Sequence, residues 1–303
     1  MNIRNLTIRL GAIAAALALL TSGCGARSSD SASGGGTDEV ITIPVVQGWT
    51  DQASTAYLFE NILEDNGYTV EIKEIADNAP IYAGLQNGDL DLFPSCWLER
   101  THAQYWAEYK DDLEDLGTWY SGANLFLGVP DYSNVTSIAD LPANAAEFDG
   151  KIIGIEPGAG LTGVVKDDAF PAYGLDENFD LVLSSTTAML TELQKAIDEE
   201  REIVVTMWAP FWANQVYPIR PLEDPEGAMG QSENVHSIAR AGFAADYPKV
   251  AEMFANFEMT DDQYGTLEDM IVNDFGQGNE EEAVAAWLDA NPDFEPALAK
   301  YLQ

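Results

Sequence analysis

Apolar residues fall in two rhythms along this chain. Short, nearly continuous runs rich in Val, Ile, Leu and Phe alternate with longer stretches in which apolar positions recur every three or four residues. The first rhythm predicts buried strands, the second amphipathic helices. Residues 41–47 read as a strand, 51–66 (DQASTAYLFENILEDN) as a helix stopped by Gly67, and VEIKEI as a strand. APIYAGLQNG reads as a helix ended by Gly88, LDLFPSCW as a third strand, and THAQYWAEYKDDLEDL as a further helix. ANLFLGVP is a predicted strand leading to a crossing at Pro130. A second series follows: KIIGIEP, a helix after Gly160, LVLSS, TAMLTELQKAIDEE and EIVVTMW. Beyond Pro225 and Gly227, HSIARAGF reads as a return strand, and 245–303 reads as mostly helical. This βαβα alternation predicts an α/β protein with largely parallel sheets. No fixed-period repeat is evident.

Ahead of these elements lies a different kind of segment. Arg4 and Arg9 precede the apolar stretch Leu10 to Leu20, and Thr21-Ser22-Gly23-Cys24 places small residues before a cysteine. The stretch is short for a membrane span and has the layout of an export signal over residues 1–23. It resembles a bacterial lipobox, which implies cleavage before Cys24 and lipidation of its thiol. Leucine usually stands three residues before that cysteine, and here the residue is Thr21; an ordinary secretory signal is the alternative. Residues 25–38 (GARSSDSASGGGTD) hold almost nothing that can pack and read as a flexible tether, with a reach of about 20 Å. Residues 24–38 thus precede a body large enough for two α/β lobes.

Charge narrows the partners. The chain carries 51 acidic against 14 basic residues, a net charge of −37. Nucleic acid needs a basic footprint and is excluded as a partner, and direct docking on anionic lipid is disfavoured. A solvated, highly soluble surface accounts for the acid excess; adaptation to a saline exterior, where salt screens self-repulsion, is the sharper reading. Besides Cys24 there is only Cys96, inside an apolar run, so no structural disulfide is expected and Cys96 reads as a buried, inert thiol. Two histidines, no G-x-S-x-G elbow and no zinc-ligand set argue against an enzyme and against a metal or other cofactor.

Candidate chemistry lies at the ends of the apolar runs. Trp49 ends ITIPVVQGW, Trp97 ends LDLFPSCW and Trp208 ends EIVVTMW. Ligands of open α/β sheets bind beyond the carboxyl ends of strands, so three indoles can converge on one cleft. Ring faces are the means of holding a quaternary ammonium, which has no N–H to donate. Gly158, Gly160 and Gly163 in PGAGLTG match G-x-G-x-x-G after KIIGIEP. That pattern alone is a weak dinucleotide fingerprint. Glycines let a backbone approach closely, and the free N–H groups of a helix start bind any anion, a carboxylate included. A cation box with an anion nest fits a small zwitterion.

The segments QGWTDQAST, GDLDLFPSCWLERTH, FDGKIIGIEPGAGL, SSTTAMLTELQKA, EIVVTMWAPFW and ENVHSIARAGF resemble the glycine betaine/proline betaine binding proteins of ABC importers. The resemblance runs in order through nearly all of 40–260. It implies a two-lobe periplasmic-binding-protein fold of type II-like form, hinged, with the ligand cleft between the lobes: 39–129 and 234–303 forming lobe I and 130–233 lobe II. It implies a prism of Trp49, Trp97 and Trp208 around the trimethylammonium. The ligand carboxylate is then held by the amides of Gly160 and Leu161 and by His102, five residues after the second Trp. The implied role is capture of a betaine by a monomeric, membrane-anchored lipoprotein and delivery to an ABC permease. Two features depart from the pattern. Phe211 stands where many relatives have His. Asp51 matches an Asp of choline-binding relatives, whereas Leu125 replaces a Tyr those relatives carry, so choline is the alternative ligand. Trp106, Trp119, Trp212 and Trp287 lie outside the strand-end pattern and are expected to pack; His236, on the return strand, is expected to be structural.

Overall fold

The computed structural model describes residues 40–276 and 278–303. The export signal, the tether and Cys24 lie outside the described residues. The strands are β1 (Val40–Val46), β2 (Thr69–Ile75), β3 (Leu92–Cys96), β4 (Leu113–Pro130), β5 (Lys151–Ile153), β6 (Asp180–Val182), β7 (Val204–Ala209), β8 (Ile219–Pro221) and β9 (Glu233–Arg240). β1 and β2 pair in parallel and are joined through the helix Thr50–Asp65, a unit of the kind the alternation predicts. The second sheet has the order β3-β9-β4-β7-β5-β6, with β8 beside β4. β5 pairs in parallel with β6 and β7. β4 and β9 contribute the antiparallel pairs. The result is a two-lobe, mixed α/β fold.

β4 is the element the sequence pattern misread. The stretch THAQYWAEYKDDLEDL forms a helix only over Ala103–Tyr109, and from Leu113 the chain is extended for 18 residues. Leu113, Leu116 and Trp119 are its buried residues here, spaced by three like one face of a helix. The spacing arises from irregularities in the β4–β9 register between Asp115 and Gly117 and between Thr118 and Tyr120. Each such bulge adds a residue and breaks the alternation of two that marks a strand. Gly117 adopts φ +127, a conformation glycine tolerates best. Further on, the partners of β4 change: Ala123 faces Glu233 of β9, whereas Asn124 faces Ala209 of β7.

Helices after β9 pack against the helix Thr50–Asp65 and β4. Phe59 of the helix Thr50–Asp65 packs between Phe254 and Phe257, with ring centroids 4.2 and 4.8 Å away. Trp287 is fully buried and meets Phe294 edge-on, and Trp119 donates its indole N–H to Pro94 O at 2.7 Å. Buried polar groups tie the strands. Asp91 accepts from Thr42 N (2.8 Å) and Thr42 Oγ1 (2.7 Å), and from Arg240 Nε (2.7 Å). His236 on β9 sits 3.2 Å from both Glu99 and Asp115; burial alone would lower its pKa, but the bonds and charges of Asp115 and Glu99 raise it. It acts as a strand tie away from the cleft.

Candidate ligand-binding site

Seven of the residues singled out from sequence line one cavity: Trp49, Asp51, Trp97, His102, Gly160, Leu161 and Trp208. Asn78, Thr101, Leu125 and Ile155 complete much of its wall. Each indole arrives there for a local reason. Trp49 follows β1 after Gly48, whose φ of +89 turns the chain out of the sheet, and it precedes the helix Thr50–Asp65. Trp97 directly follows β3. Trp208 lies inside β7 rather than beyond it, opposite Leu125 of β4. All three are buried, at 6, 4 and 5 % exposure.

The rings are held in different ways. Trp49 Nε1 donates to Glu156 Oε2 at 2.9 Å and lies 3.0 Å from Thr186 Oγ1. Glu156 also accepts from Thr186 N and Oγ1, both at 2.8 Å. Trp97 shares the cavity wall with Asp51, which accepts from Ser95 Oγ at 2.6 Å. Asp51 is buried, and desolvation raises its pKa against that bond. Trp208 has no partner for Nε1; instead Phe211 stacks on it, with centroids 3.9 Å apart and an interplanar angle of 20°. Phe211 thus backs a wall of the cavity. Below, Glu268 accepts from Thr50 Oγ1 at 2.7 Å. Its pKa is pushed up to about 8, chiefly by burial and further by the Asp51 charge.

Other groups lining the same cavity are polar. Gly160 and Leu161 open the helix Gly160–Val164, so their N–H groups have no acceptor within it. His102 is buried and its pKa falls to about 3 because the ring is desolvated; it is neutral at any physiological pH. Its Nδ1 lies 3.1 Å from Tyr82 Oη and 3.4 Å from the Trp97 amide, and its Nε2 faces Asn78 Nδ2 at 2.9 Å. Both ring nitrogens therefore face protein groups. Asn78 carried no chemical signature in the sequence. The available signal was its place: Asp77 caps the helix Asn78–Asn87, whose start meets the strand ends.

Several contacts close the cleft around this cavity. Besides the Trp49–Glu156 bond, Gly158 N donates to Asp77 Oδ2 (2.7 Å), Tyr105 Oη donates to Gly158 O (2.7 Å), and Arg100 pairs with Asp168 (3.0 Å). Gly160 is pressed against the loop after β3 so closely that a Cβ there would lie 1.7 Å from Thr101 O.

Two lobes that bury a small aromatic cavity between them define a solute-binding protein. Residues 40–290 match the family model OpuAC, the substrate binding domain of ABC-type glycine betaine transport systems, and the chain belongs to that family of transport proteins, which are not enzymes. The glycine betaine/carnitine transport binding protein GbuC of Listeria monocytogenes is 38% identical over 146 residues, covering 47% of this chain and 46% of that relative, so the match spans about half of its length. The glycine betaine, L-proline transporter binding protein ProX of Borrelia burgdorferi superposes with a TM-score of 0.81 at 30% identity, covering 87% of this chain and 98% of that one. An ABC-transporter choline binding protein in complex with choline superposes with a TM-score of 0.76 at 26% identity, covering 87% and 98%.

Proposed function

We propose that this protein captures glycine betaine, or a related betaine, outside the cytoplasm and delivers it to an ABC permease for osmoprotectant uptake. The observation that carries the reading is that one cavity is lined both by Trp49, Trp97 and Trp208 and by Gly160 and Leu161 at a helix start with the neutral His102 and Asn78. A trimethylammonium takes the ring faces, each desolvated contact contributing about 2 kcal/mol. A carboxylate takes the amides through charge-assisted bonds. The lobes, 39–129 with 234–303 against 130–233, close because the ligand touches both and so favours the closed form.

Choline is the second reading. Asp51 in the cavity wall supports it, as does the likeness to the choline binder. Asp51 adds negative potential near the cage, which suits any cation and opposes a carboxylate only at close range. Titration calorimetry of the full-length protein with glycine betaine, proline betaine, choline and carnitine distinguishes them. Glycine betaine is expected to bind more tightly than choline by about tenfold, the cost of leaving amide donors facing a hydroxyl. A preference for choline would replace the betaine reading with the second one.

Anchoring by lipidated Cys24 belongs to the same proposal. Cys24→Ser is expected to release the protein from the membrane while leaving its betaine affinity unchanged. Unaltered membrane retention of this variant, measured by fractionation, rules the lipid anchor out.

A further inference from the structure

We propose that the side chain reading the anionic end of the ligand is the Asn78 carboxamide, and that His102 acts through it as a positioning residue. The inference rests on the betaine reading above and adds a residue to it. Asn78 is fully buried at the start of the helix Asn78–Asn87, and it lines the same cavity as the three indoles and Gly160. One heteroatom of its amide lies 2.9 Å from His102 Nε2, and the other has no hydrogen-bond partner among the described residues. A buried amide atom without a partner is costly, and the cavity is where its partner can come from.

Which atom is left over follows from the His102 tautomer. The Trp97 amide can only donate, and it is directed at Nδ1. Tyr82 Oη lies 3.1 Å from Nδ1 and 3.7 Å from Cys96 Sγ, and the nearer, stronger acceptor takes its proton. Nδ1 is therefore the acceptor, and the proton of the neutral ring sits on Nε2. A protonated Nε2 facing the Asn78 NH2 would set donor against donor. A half-turn of the amide exchanges its nearly isosteric oxygen and nitrogen. Oδ1 then accepts from Nε2–H, and the NH2 becomes the partnerless group at the cavity. It joins the N–H groups of Gly160 and Leu161 as a donor to a carboxylate. A hydroxyl, with one oxygen, cannot satisfy all of these donors. Asn78 is thereby a discriminator between betaine and choline, whereas the indoles hold the trimethylammonium that both ligands share. The chain Tyr82–His102–Asn78 carries no net charge, so it presents donors without a counter-charge that would bind simple anions.

The test is titration of the full-length protein with glycine betaine and choline, in wild type, Asn78→Ala and Asn78→Asp. Loss of one donor to a charged acceptor predicts about tenfold weaker betaine binding in Asn78→Ala, with choline changed by less than about threefold. Asn78→Asp places a carboxylate at the start of a helix, where the fold accepts it. It is expected to weaken betaine by about a hundredfold and to leave choline the preferred ligand. Equal losses for both ligands, or unchanged betaine affinity, overturn the proposal while the betaine reading stands. A wild type that binds neither ligand removes both. Should the Asp variant fail to fold, Asn78→Ala and the nitrogen-15 spectrum of the two histidines decide. A protonated Nε2 at His102 supports the assignment, and a protonated Nδ1 overturns it.

Discussion

Gly160→Ala is expected to remove ligand binding while leaving the protein folded. The added methyl would fall 1.7 Å from Thr101 O and 2.4 Å from Thr101 C, both backbone atoms that cannot swing aside. Gly160 itself is in an ordinary helical conformation, and alanine is the better helix former, so the strain appears only when the cleft closes. The variant must stop short of closure, and the apparent affinity falls with the population of the competent state. A loss of about a hundredfold or more is expected, with an unfolding temperature close to that of wild type. Calorimetry and a thermal melt on the same sample measure both. Betaine affinity within a few-fold of wild type would mean that the close approach at Thr101 is not part of the bound state.

The second large effect separates two roles of an indole. Trp49→Ala removes a ring face and also the donor that joins Glu156 at 2.9 Å, and it is expected to be the most damaging of the three cage substitutions. Phenylalanine isolates the second role. At position 49 it keeps a ring face and loses a hydrogen bond to a buried carboxylate, worth about 1.5–3 kcal/mol, hence an affinity loss of about tenfold or more. At position 208 the indole nitrogen has no partner to lose, and Phe211 still stacks behind the ring. Trp208→Phe is therefore expected to cost less than about threefold. Equal affinities for the two Phe variants would show that the Trp49–Glu156 bond does nothing for closure.

The convergence of Trp49, Trp97 and Trp208 on one cavity was legible because an indole at the end of an apolar run is visible in one dimension. The glycine loop was legible for the same reason, since Gly158, Gly160 and Gly163 stand in one short motif. What escaped was relational. Glu156 lies just before that motif, but its partner Trp49 is 107 residues away, and an acid among 51 carries no signal of its own. Asn78 is one more polar residue near a helix start until the fold brings His102, 24 residues later, against it. The first half of β4 was misread because bulges space Leu113, Leu116 and Trp119 as a helix would. Only pairing with β9 shows that spacing to be extended chain. Apart from β8, which no apolar run marked, the remaining strands and most helices followed the period of their apolar residues.

The continuity of β4 limits how this architecture can be rearranged. One strand serves two hydrogen-bond ladders, with β9 up to Ala123 and with β7 from Asn124. A residue inserted at that junction would leave each ladder free to form. Side chains alternate along a strand, however, so the second half would have to turn over to keep its pairing. Leu125, now in the cavity wall opposite Trp208, and Phe126 would trade faces. A chimera that takes its second half from a relative must therefore splice outside this strand, after Pro130 and before Glu233, or inherit β4 whole. The strand is a unit of exchange, and its length in residues is as much a part of the binding site as any side chain that touches the ligand.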